Sequence, residues 1–73
     1  MEIDKETAVR TAIDRHDIKI LPSDIPNFIN FIEVIYEDRV SLGHYLVDIP
    51  FQDMAIVPRN LFIKHCYDLF LKL

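Results

Sequence analysis

A single glycine, a single cysteine and no tryptophan set the limits on this 73-residue chain. One glycine leaves no glycine-rich phosphate loop, and with only four prolines the chain is neither a linker nor a low-complexity segment. The lone Cys66 has no internal disulfide partner and suits a reducing compartment. Charges at Glu2, Asp4, Lys5, Glu6 and Arg10 leave no room for the apolar stretch of a signal peptide. The longest uncharged runs, Ile25–Ile32 and Val40–Val47, are eight residues each, far short of the ~20 needed for a membrane span. A cytoplasmic protein without a membrane span is expected.

Basic residues are also scarce. Eight Lys and Arg face twelve Asp and Glu, for a net charge of −4. The imbalance is uneven, with −6 over residues 1–58 and +2 over residues 59–73. An acidic body argues against nucleic acid as a partner, because Lys and Arg must neutralise phosphates.

Large apolar residues are abundant: eleven Ile, seven Leu, five Val and five Phe. That content rules out intrinsic disorder. A chain of this length buries only about 60% of its unfolded surface. The excess, at roughly 25 cal/mol per Å², is a drive toward association.

The pattern predicts one domain, residues 1–73, mainly all-α, as a small bundle of three or four helices. Asp4 is placed to cap a first helix running to about His16, with Ala8, Val9, Ala12, Ile13 and His16 on one face. Pro22 closes an apolar connector. Ser23 or Asp24 then caps a second helix with Pro26 in its first turn. Ile25, Phe28, Ile29, Ile32, Ile35 and Tyr36 share one face of it, and its spacing continues through Arg39, Leu42, Leu46 and Ile49 past a break near Gly43. The alternative is an α+β fold with a short hairpin around residues 44–57. In it His44–Ile49 and Met54–Val57 are the strands and Pro50–Asp53 the turn. Helix is preferred, because an isolated two-stranded hairpin is only marginally stable.

Pro58 opens a terminal helix over Arg59–Leu73. At about 100° per residue, Phe62, Ile63, Cys66, Tyr67, Leu69, Phe70 and Leu73 fall within an arc of about 160°. Asn60, Lys64, Asp68 and Lys72 make a polar seam into which Leu61 and Leu71 intrude. Such a helix needs cover on more than one side. The line Phe62, Cys66, Leu69 and Leu73 is expected to pack on the chain's own body. The neighbouring Ile63, Tyr67 and Phe70 are expected to meet a partner. Phe62 and Leu71 join them as protein-binding candidates, with the three aromatic rings as anchors.

Chemistry-bearing residues are few. His16, His44, His65 and Cys66 are the only soft metal ligands, and the one close pair, His65-Cys66, diverges by about 100° on a helix, so no metal site is expected. His16 reads as a half-buried histidine near a helix C-terminus. Ser23, Ser41 and Cys66 lack a nucleophile context. No enzyme activity, cofactor or small-molecule substrate is expected. Glu33, Glu37 and Asp38 form an acidic patch. Arg59, Lys64 and Lys72 are too few for a membrane-surface helix.

The reading that follows is a small non-catalytic regulator or adaptor. It binds another protein, itself, or both through its apolar C-terminal helix, with a homodimer as one form. The alternatives are a DNA-binding helix-turn-helix regulator and, as a minor one, an acidic inhibitor of a nucleic-acid-binding protein.

Overall fold

The computed structural model describes residues 3–43 and 49–73. Among these are three α-helices and no strand: α1 (Lys5–His16), α2 (Ile25–Ser41) and α3 (Ile56–Phe70). The chain is a small all-α bundle.

The start of α1 follows from Asp4, whose Oδ1 accepts the Thr7 backbone N–H at 2.7 Å. Its end follows from Asp17, which takes a left-handed φ of 51°, while the Ile18 N–H closes back onto the Ile13 carbonyl at 3.0 Å. Asp is among the few non-glycine residues that tolerate this geometry. Ala8, Val9 and Ala12 make the buried face. Two alanines one turn apart let α3 lie close, and the α1–α3 pairing is the most extensive in the fold.

A 3-10 turn at Pro22–Asp24 feeds directly into α2, with Pro26 in the first turn. Asp24 stands at the predicted cap position but makes no side-chain cap bond. Its backbone is already helical (φ −91°, ψ −9°), whereas an N-cap side chain reaches the helix amides from an extended backbone. Ile25, Phe28, Ile32 and Tyr36 form the buried stripe, as the spacing predicts.

Helix α2 ends at Ser41, and most of the expected continuation toward residue 49 lies outside the described residues. Gly43, with φ of 79°, donates its N–H to the Val40 carbonyl at 3.0 Å and ends the helix. Most of the first strand of the alternative hairpin, His44 to Asp48, lies outside the described residues. Its second strand, Met54–Val57, does not form: Met54 and Ala55 belong to no element, and Ile56 and Val57 open α3; in the expected turn, Phe51–Asp53 is a 3-10 turn. The terminal helix thus starts at Ile56, two residues before Pro58, where the sequence places its opening. Pro58 sits in its first turn without loss, because the first helical backbone bond is Arg59 N–H to Ala55 carbonyl at 2.9 Å.

Helix α3 runs antiparallel to α2. Phe70 packs on Phe28 and Phe31 at the start of α2, with ring centroids 5.3 and 5.5 Å apart. At the other end Phe62 meets Tyr36 at 5.8 Å, and Tyr36 meets Phe51 at 6.4 Å. The Tyr36 hydroxyl donates to the Ile49 carbonyl at 2.7 Å. Two aromatic groups, one at each end of the α2–α3 contact, therefore clamp the helices together, with the burial of their rings as the main stabilising term.

Candidate protein-binding surface

The five residues nominated from sequence separate in the fold. Phe62 and Ile63 are core residues, closed to any partner. The Arg39 guanidinium lies over the Phe62 ring at 5.9 Å from its centroid. Tyr67 is half-buried, its ring edge-on to Phe28 and its hydroxyl donating to the Lys19 carbonyl at 2.6 Å. Phe70 is half-buried against Phe28 and Phe31. Leu71 is 63% exposed. The two lines of α3 also divide differently from expectation: Phe62 and Cys66 are buried as expected, but so is Ile63 of the other line, while Leu69 is only half-buried and Leu73 is 86% exposed. The helix rotates its apolar arc toward α1 and α2 together, so both lines contribute to the core. Leu73 lies beyond the last helical turn and has nothing to pack on.

The exposed apolar surface gathers instead at the start of α3. Ile56, Val57 and Leu61 are all more than half exposed. With Thr11, Arg15 and His16 of α1 they line an open groove of about 460 Å³. Asn60 completes that lining although its side chain is almost wholly enclosed, at 5% exposure. Its Oδ1 has no hydrogen-bond partner. Arg59, 3% exposed, donates from one Nη to the Gln52 carbonyl at 3.2 Å, but its Nε and the Gln52 Oε1 are also unpartnered. Among the described residues no side chain caps this end of α3, so its first backbone N–H groups add positive potential. Further along the same solvent edge the Lys64–Asp68 ion pair, at 2.6 Å, separates Val57 and Leu61 from Leu71. That pair holds the Asp68 carboxyl below its ordinary range.

Buried polar groups without partners are rare, and each one requires a physical reason. One of them, the Asn60 Oδ1, stands beside three exposed aliphatic side chains and marks the start of α3 as a place where this chain departs from the rules that shape the rest of it. Leu61 was legible in the sequence as an intruder in the polar seam. Asn60 was not, because the seam pattern reads it as solvated. His16 is half-buried, as its spacing predicts.

The unpaired Asn60 carbonyl leads to a prediction about sign. Asn60→Ala removes an enclosed acceptor worth about 1–3 kcal/mol of unrecovered desolvation and replaces a poor helix former with the best one. Urea unfolding should show a gain of about 1 kcal/mol, where most substitutions destabilise. A loss of stability would mean that the Asn60 amide is bonded in solution.

The remaining reactive group is inert. Burial pushes the Cys66 thiol up to about 12, against a smaller downward pull from Arg39, so it carries almost no thiolate near neutral pH. Among the described residues no three His, Cys, Asp or Glu side chains converge as a metal site, and no helix is long and apolar enough to cross a membrane. A wider cleft of about 710 Å³ lies between the start of α1, the second half of α2 and Ile49–Gln52. Three of its polar side chains are committed, Tyr36 to the Ile49 carbonyl and Lys5 and Glu33 to each other at 2.9 Å.

Comparison with protein-family models, curated proteins and solved structures finds no match to this chain.

Proposed function

We propose that this protein is a non-catalytic protein-binding module, of the regulator or adaptor class, whose docking surface is the groove between α1 and the first half of α3. One observation carries the reading: Ile56, Val57 and Leu61 stand exposed beside the enclosed, unpartnered Asn60. A clustered apolar patch with a polar rim is the signature of a protein interface, whereas scattered exposed side chains need no explanation. Arg15 and His16 supply the rim and favour a partner segment that carries carboxylates among apolar residues. Leu71, on the same edge of α3, extends the surface beyond the Lys64–Asp68 pair. A cytoplasmic setting suits the buried, reduced Cys66.

A photo-crosslinking amino acid placed at Leu61 tests this in native cells. Position 61 should yield discrete adducts with defined proteins, whereas the same probe at Asn30, exposed on α2, should not. Equal, diffuse labelling at both positions would remove the groove as a binding site.

A further inference from the structure

We propose that the occupant of this groove is a second copy of the chain, docked head to tail through the outer edge of its α2. This rests on the reading of the groove as a docking surface and adds the identity of what fills it.

The chain carries the groove's chemical complement on its own exterior. Val34, Asp38 and Leu42 follow one another at four-residue spacing along the solvent side of α2, and all three are exposed. Glu37 and Ser41 flank them and are also exposed. The stripe therefore presents two aliphatic side chains about 12 Å apart with a carboxylate between them and a second alongside. The groove presents the reverse: aliphatic Ile56, Val57 and Leu61 beside the cationic Arg15, a histidine and the uncapped, positive start of α3. Among the described residues Arg15, Glu37 and Asp38 take part in no intramolecular ion pair. Each is left for an intermolecular one. An exposed apolar groove with the cationic Arg15 on its rim favours an acidic, apolar occupant, and α2 is such a segment.

The head-to-tail mode has a consequence for assembly size. Among the described residues the groove is lined by α1 and α3 alone, and the exposed stripe on α2 takes no part in that lining. A molecule's own stripe is not in its own groove, and two molecules joined by one head-to-tail contact leave one groove and one stripe open. The contact is heterologous, so it grows beyond a dimer into a ring or an open chain, unlike a two-fold dimer.

Sedimentation velocity on the full chain distinguishes the outcomes. A small interface of this kind sits at the weak end, so loading should span ~10 to ~500 μM. The weight-average mass should rise with concentration beyond twice 8.6 kDa. Leu61→Glu places a carboxylate in the groove, and Val34→Glu places one on the stripe. Both positions are exposed, so each variant should keep its helical circular dichroism while its self-association weakens at least about tenfold. Mixed in equal amounts, the two should form a dimer and stop there, since only one intact groove and one intact stripe remain. A wild type that stays monomeric, a species that stops at two, or a mixture that fails to pair would each overturn the proposal. Discrete adducts at position 61 with other proteins, from a chain that stays monomeric, would refute self-docking and leave the groove as a site for a different partner. No adducts and no association would remove both readings.

Discussion

Phe28→Ala should bring the protein to the edge of unfolding at room temperature. The Phe28 ring is fully buried, with Tyr67 edge-on at 6.1 Å and Phe70 tilted at 5.3 Å. Truncating such a ring costs about 3–5 kcal/mol, from lost burial and from the cavity it leaves. A domain of this length holds roughly 4–11 kcal/mol in total at 0.05–0.15 kcal/mol per residue, so one ring accounts for a large share. Phe70→Ala should cost less, because Phe70 is only half-buried, and Leu73→Ala should change almost nothing. Urea unfolding at one fixed, low protein concentration gives the order, with association kept out of the comparison. A Phe28→Ala variant within about 1 kcal/mol of wild type would mean that the ring does not organise the α2–α3 contact.

Alkaline pH should unfold this protein well before it unfolds a variant without the thiol. Cys66 is buried among apolar neighbours, and desolvation raises its folded pKa from 9.0 to about 12. In the unfolded chain the thiol ionises near its ordinary value, whereas in the folded chain it stays neutral. A raised folded pKa contributes stability that is whole below about pH 9 and is lost as pH climbs toward about 12. Over the roughly two pH units between 9 and 11, at 1.36 kcal/mol each, the loss is on the order of 2–3 kcal/mol. Lysines and tyrosines titrate over part of the same range, so the measurement is a difference. The urea midpoints of wild type and Cys66→Ala should be followed from about pH 8 to about pH 11. Wild type should begin more stable, since Cys66→Ala leaves a small cavity, and should fall more steeply. Parallel pH profiles would show that the thiol reaches water in the folded state. Below about pH 9 a thiol reagent should modify Cys66 only as fast as the protein opens.

Much of the fold was legible because its signals are local. Asp4 caps α1 through a bond three residues away, and Pro22 and Pro26 mark the entry to α2 by what their rings forbid. The 3.6-residue period places Ile25, Phe28, Ile32 and Tyr36 on one side whatever surrounds them. The apolar arc of α3 was visible for the same reason. Its orientation was not, because period assigns residues to a common face without saying which neighbours cover it. An arc of about 160° is wider than one helix can hide, and α1 and α2 cover it together. This is why Phe62 and Ile63, nominated for a partner, are enclosed. Ile56 and Val57 are β-branched and read as strand, yet they form the first turn of α3. Asn60 falls on the polar seam by spacing, yet it is enclosed between α1 and α3. Local sequence determined where the helices lie and which side of each is apolar. Only the packing of three helices decided how far each face is covered, because burial depends on residues distant in the chain that periodicity does not relate.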